Sequence, residues 1–143
     1  MLFRSFLGGL LHDIGKIVVL RTVATMKKRD PSRRLSRTSL FILFDSLHCS
    51  IGEGLFEKWK LPVAIREMVR DHHASDLVER PLHVRIVALA DRMAARLGDS
   101  LLPDDTIVLH ALPVAASLGL GETELAGMLE QVRLESESAK AAL

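Results

Sequence analysis

Apolar residues recur at three- and four-residue spacing along almost the whole chain, and runs that alternate apolar with polar are scarce. That period predicts an all-α domain, because residues three and four apart share one face of a helix. The pattern places helices at residues 2–12, about 16–28, 38–59, 62–73, 81–97, about 105–118 and about 122–138. The expected architecture is a bundle of about six to seven helices forming a single domain over residues 1–143. Asp13-Ile14-Gly15 interrupts the first apolar pattern, with Gly15 allowing a bend. Asp30-Pro31 signals a turn, and Pro62 and Pro81 suit the first turn of a helix, where the missing N–H costs nothing. Gly98 is expected to stop one helix and Pro113 to kink or split another, and the tail from Glu135 is expected to fray.

The informative positions are polar residues where the helical period demands apolar ones. His48 falls on the stripe made by Phe41, Phe44, Ile51 and Leu55, opposite Ser46, Ser50, Glu53 and Glu57. His72 continues the stripe Ile65, Met68, Val69, and His73 falls at the edge of the core, near Val69 but also near Arg66 and Arg70. Asp91 lies among Val84, Val87, Ala88 and Ala95, away from the face of Arg85, Arg92 and Arg96 that marks solvent. A carboxylate buried there without a partner would cost several kcal/mol. His12-Asp13 sits between two apolar runs near the start. His83 and His110 are set aside as structural or surface residues.

Composition narrows the classes. A chain of 143 residues with 48% apolar and 26% charged residues is globular, with enough length for a real core. A net charge of +1 argues against a dedicated nucleic-acid binder. Cys49 is the one cysteine, so no internal disulfide forms and a reducing compartment fits. No unbroken apolar run reaches about 18 residues, so no membrane-crossing helix is expected. The opening Met1–Leu11 superficially resembles a signal peptide but lacks a convincing small-residue cleavage site, and His12, Asp13 and Lys16 follow at once. It is read as the core helix of a cytoplasmic protein, beginning without a lead-in as if cut from something longer.

Residues 27–37 form a basic stretch, with six of eleven residues Lys or Arg. Such a run is ordinarily a solvated loop; the sharper reading is a site for phosphates or an acidic partner. No aromatic is interleaved, so stacking on nucleic-acid bases is not expected.

Three or four imidazoles and two carboxylates on different helices suit an octahedral or two-metal site for Mn, Fe, Zn, Ni or Mg. Each residue alone has an ordinary explanation: a core His donating to a backbone carbonyl, or a buried Asp capping a neighbouring helix. Jointly, that explanation must be repeated four or five times in one small domain.

The ordered set Leu10-Leu11-His12-Asp13-Ile14-Gly15-Lys16, His48, His72-His73 and Ala88-Leu89-Ala90-Asp91 resembles the HD superfamily of metal-dependent phosphohydrolases and their signalling relatives. Within it the chain is most similar to the HDOD branch, the HD-related output domain. The pieces are the opening segment, His48-Cys49-Ser50-Ile51-Gly52, Trp59, Leu61-Pro62, Asp71-His72-His73, Ile86–Asp91 and Leu118–Leu125, so the resemblance spans nearly the whole chain. It implies an HD-like helical bundle, of which this chain is the C-terminal half, and a first family His upstream of residue 1. It implies a divalent metal (Mn, Fe, Ni, Zn or Mg) held by His12, Asp13, His48, His72, His73 and Asp91, with Asp13 and Lys16 as the catalytic residues of an enzyme.

Two functions follow from the resemblance. The favoured one is a signal-transduction domain whose cluster holds a metal without efficient turnover, acting on a signalling protein or an attached output domain. The alternative is a metal-dependent phosphohydrolase acting on nucleotides or cyclic dinucleotides, with Lys16 steadying a phosphate. The Gly-Tyr-Pro that would mark the cyclic-di-GMP phosphodiesterase branch is missing, since Ala74-Ser75-Asp76-Leu77 follows His73. A nucleotide or phosphate ligand and a homodimer are further partners the reading admits; nucleic acid and membrane are not expected.

Overall fold

The computed structural model describes residues 2–32 and 34–142, which are all-helical with no strand. They form two compact units, residues 1–75 and 76–143. The first holds α1 (Leu2–Leu11), α2 (Ile14–Arg29), α3 (Arg37–Lys58) and α4 (Val63–Asp71). The second holds α5 (Leu82–Leu97), α6 (Pro113–Ser117) and α7 (Glu122–Ala141), with 3₁₀ turns at Leu77–Glu79 and Leu109–Ala111.

In the first unit the chain breaks at His12-Asp13 and restarts at Ile14. Asp13 occupies the N-cap position of α2, yet its side chain caps nothing. Asp30 ends α2 in extended backbone before Pro31, as the clash with a following proline ring dictates. The Ser36 hydroxyl accepts from the Ser39 N–H and starts α3. That helix closes with Lys60 at φ 56° and a bond from the Leu61 N–H to the Phe56 carbonyl, an end in which glycine usually takes the left-handed position. Pro62 then precedes α4, which ends at Asp71, so His72 and His73 lie just past the helix and not within it.

Packing in this unit runs α2 on α3, α3 on α4 and α1 on α4. Val19, Phe44, Phe56, Ile65, Met68 and Val69 form its apolar core, and His48 and His72 are buried beside them at 1% exposure each. Gly15 lies inside α2, and its role is a close approach, not the expected bend. A Cβ there would overlap the main chain of His48. A Cβ on Gly52 would likewise meet Val69 Cγ1 at 2.6 Å. These crossings bring the His12-Asp13 turn, His48 and His72 to one place. By length and mean hydropathy α3 could cross a membrane. Asp45 and Glu53 interrupt its apolar run, and in the fold it carries His48 inward between α2 and α4.

In the second unit Leu89, Met93, Leu109, Val114, Ala115 and Leu125 form the core. α5 ends at Gly98 as expected. The helix expected over about 105–118 is shorter: only Pro113–Ser117 is α-helical, after the 3₁₀ turn. Asp104 Oδ1 accepts from both the N–H and hydroxyl of Thr106 (3.0 and 2.5 Å), and this local turn competes with helix. Pro113 keeps Leu112 extended. Arg85, expected on a solvent face, is half-buried and donates to the Ser117 carbonyl at 2.9 Å.

The expected fraying from Glu135 is also corrected, because α7 continues to Ala141. Arg133 pairs with Glu130 and Glu137 (2.7 and 2.6 Å), while Ser136 and Lys140 both bond Asp99. The Glu124 carboxylate accepts the Gly121 N–H at the helix start.

Candidate metal centre

Five of the sequence-predicted residues converge in the first unit. His12, Asp13 and His72 place one ligand atom each within 4.8 Å of one another, and so do His48, His72 and His73. His72 belongs to both groups. The rings pack edge to face, with centroids 4.9 Å apart for His12 and His72 and 5.2 Å apart for His48 and His72. His73 lies against His72 at 4.1 Å on the exposed side.

Three imidazoles are oriented in the same way. His12 Nδ1 contacts the Gly9 carbonyl at 2.7 Å and His48 Nδ1 the Phe44 carbonyl at 2.5 Å. His72 Nδ1 contacts the Val69 and Met68 carbonyls at 2.9 and 3.1 Å. A carbonyl only accepts, so these contacts assign the proton to Nδ1 in each ring and the lone pair to Nε2. The ordinary explanation of a core histidine therefore accounts for one nitrogen of each ring and leaves the other to be explained.

The Nε2 atoms turn toward Asp13. His48 and His72 Nε2 are 3.2 Å apart and lie 3.5 and 3.9 Å from Asp13 Oδ1. His12 Nε2 is 3.5 Å from Asp13 Oδ2. Asp13 Oδ1 is buried and accepts no hydrogen bond among the described residues, although a buried carboxylate oxygen ordinarily finds a donor. Asp13 Oδ2 is held by Lys16 Nζ at 2.6 Å.

Two of these separations fit ligands of one divalent ion, while His72 Nε2 and Asp13 Oδ1, 3.9 Å apart, stand wider. Two donors about 2.0–2.2 Å from one ion, at tetrahedral or octahedral angles, lie about 2.8–3.6 Å apart. The His48–His72 and His48–Asp13 separations of 3.2 and 3.5 Å fall there. Lone pairs facing at 3.2 Å repel unless a proton or a cation lies between them. The Nδ1–carbonyl bonds are the outer support that metal-ligating histidines use to fix tautomer and ring orientation.

Asp91 sits apart from this group in the sequence of elements. It is half-buried on α5, in the second unit, among the buried Val84, Val87, Ala88 and Ala95. His110 is exposed and His83 half-buried. In the basic stretch, Arg33 lies outside the described residues. Lys27 and Arg34 border an apolar groove of about 560 Å³ lined by Val23, Met26, Pro31 and Leu35.

Two residues beside the cluster were not among the predicted ligands. Cys49 Sγ is 3.3 Å from His48 Nε2 and 4.0 Å from His72 Nδ1. Burial, and then the charge of Asp13, push its thiol up to about 11, against the opposing ammonium of Lys16. Asp71, buried just before His72, takes the fork of Arg70 through Nε and Nη2, both at 2.7 Å, while Arg70 Nη1 reaches Glu53 at 3.1 Å. The hydrogen bonds that Arg70 donates to Asp71 raise its pKa, and the one it donates to Glu53 ties the end of α4 to α3. Adjacency to His48 and to His72 was the signal for both residues.

The HDOD domain family matches residues 3–75, half of the chain. The matched stretch contains His12-Asp13, His48, Trp59, Leu61-Pro62 and His72-His73. It ends before Asp91 and Leu118–Leu125, which the sequence reading had included. No curated protein and no solved structure matches the chain. The chain belongs to the HDOD domain family.

Proposed function

We propose that this chain is a regulatory HD-related domain whose His/Asp cluster holds a divalent metal without efficient turnover, and that it relays a signal to a partner protein or an attached output domain. One observation carries the choice over hydrolysis. Lys16, the cation that would steady a substrate phosphate, is bound to Asp13 at 2.6 Å with 15% of its side chain exposed. An ammonium neutralised by a carboxylate and largely withdrawn from solvent attracts a phosphate less than a free one does.

His12, Asp13, His48, His72 and His73 are the residues that would hold the ion. Bound there, a metal would supply Lewis acidity and cross-link α1, α3 and α4. The chain's own contribution is to fix each imidazole through its Nδ1–H, to keep His48 and His72 from solvent, and to neutralise Asp13 with Lys16.

Metal analysis of the purified full chain tests the reading. Stoichiometric metal that His48→Ala and Asp13→Asn both abolish supports it. Metal-free protein whose thermal stability does not change on adding Mn²⁺, Ni²⁺ or Zn²⁺ overturns the metal part. Asp91→Ala tells whether all the ligands lie within residues 1–75. Turnover of generic phosphate esters or cyclic dinucleotides by the loaded protein, lost on Lys16→Ala, would favour the phosphohydrolase instead.

A further inference from the structure

We propose that Cys49 is a thiolate ligand of this centre and that it makes the centre prefer thiophilic ions, Zn²⁺ or Co²⁺, over Mg²⁺ and Mn²⁺. The inference rests on reading the His/Asp cluster as a metal site, and adds a donor that a His/Asp set lacks.

Geometry carries it. Cys49 Sγ lies 3.3 Å from His48 Nε2, the atom whose lone pair faces the cluster. A thiolate at about 2.3 Å and an imidazole at about 2.1 Å from one ion, near a right angle or slightly wider, stand about 3.1–3.6 Å apart. The His48–Cys49 separation is thus one that two ligands of a single ion can have, as is the 3.2 Å between His48 and His72. Asp13 Oδ1, a buried oxygen that accepts no hydrogen bond among the described residues, lies 3.5 Å from the same His48 Nε2. His48 is tied to the Phe44 carbonyl, and Cys49 is half-buried one residue on in the same helix, α3.

The chemistry balances without a redox step. In the metal-free protein a neutral Cys49 carries its proton on sulfur, 3.3 Å from His48 Nε2. An arriving ion takes the place of that proton, which leaves to solvent, and one S–metal bond replaces one S–H bond. Sulfur is a soft donor, so Zn²⁺ and Co²⁺ gain from the exchange and Mg²⁺ and Mn²⁺ do not. Four neighbouring imidazoles and one carboxylate alone would leave the choice of ion far more open.

Titration of the metal-free full chain with Co²⁺, followed by absorption, reads the bond directly. The expected result is visible d–d bands together with a near-ultraviolet thiolate-to-cobalt charge-transfer band. Cys49→Ser should keep the d–d bands, lose the charge-transfer band and bind Zn²⁺ about 10-fold or more weakly, with Mn²⁺ affinity unchanged. Cobalt bound by the wild-type chain with d–d bands and no charge-transfer band would overturn the role of Cys49 while leaving the centre standing. Absence of any cobalt binding would overturn both together. The wild-type spectrum decides the first point even if the variant folds poorly.

Discussion

Gly15 of α2 lies against the main-chain carbonyl of His48 in α3, so closely that a methyl group would occupy the same space. The contact is backbone on backbone. It sets the crossing of the two helices that hold Asp13 and His48, and no side-chain movement can relieve it. Gly15→Ala is therefore expected to destabilise the chain by about 1–3 kcal/mol, as overpacking does. It should also weaken metal binding, because α2 must shift away from His48. Urea denaturation and metal titration of the same variant check both effects, and unchanged stability would show that the crossing has slack.

Asp13 and Lys16 form a short ion pair at the centre. Asp13→Asn should abolish metal binding and cost about 1–3 kcal/mol, because the largely buried ammonium of Lys16 loses its partner. Removing the ammonium as well, in Asp13→Asn with Lys16→Met, should restore much of that stability but none of the metal binding. A double-mutant cycle with equilibrium unfolding measures the coupling. Simple additivity would mean that the pair contributes nothing to the fold.

Lys60 holds the left-handed position at the end of α3, at φ 56°. A side chain there costs about 1–2 kcal/mol relative to glycine, partly offset by the greater freedom of glycine in the unfolded chain. Lys60→Gly should raise stability by about 0.5–1 kcal/mol with no change at the His cluster, read from the denaturation midpoint. A loss of stability would mean that the end of α3 is formed differently.

Asp99 receives hydrogen bonds from Lys140 and Ser136, which hold its pKa below the ordinary carboxylate value. The folded pKa is depressed, so this contribution is present above the unfolded value and disappears as pH falls through the folded one. The end of α7 should therefore loosen below about pH 4 and be unaffected near neutrality. Lys140→Ala should move the Asp99 midpoint upward in a carbon-13 carboxyl titration. An unmoved midpoint would place Lys140 elsewhere.

The helical period located α3 and α5 to within a residue or so, because each carries a long apolar face between a clear start and stop. It failed at residues 105–112, where Asp104 binds Thr106 and a local side-chain turn outcompetes helix. At α7 it missed the ion pairs of Arg133 and Lys140, which involve only polar residues and leave no trace in an apolar pattern. At the centre, polar residues on apolar stripes correctly marked His48 and His72 as buried. What the period could not supply was the distance between helices. The close approach at Gly15, and with it the position of Cys49 beside His48 Nε2, depends on a backbone crossing that a helical wheel does not contain.

The three Nδ1 anchors have a consequence for regulation. Each imidazole is fastened to a carbonyl of its own helix, at Gly9 in α1, Phe44 in α3 and Val69 in α4. The gaps between the Nε2 atoms are therefore a caliper on helix spacing. An ion that binds at one setting of the caliper stabilises that spacing. By reciprocity, a partner that moves α1 or α4 must change the affinity for the ion by the same factor by which the ion changes the affinity for the partner. If the chain binds both, occupancy of the centre and engagement of a partner would be two readings of a single equilibrium.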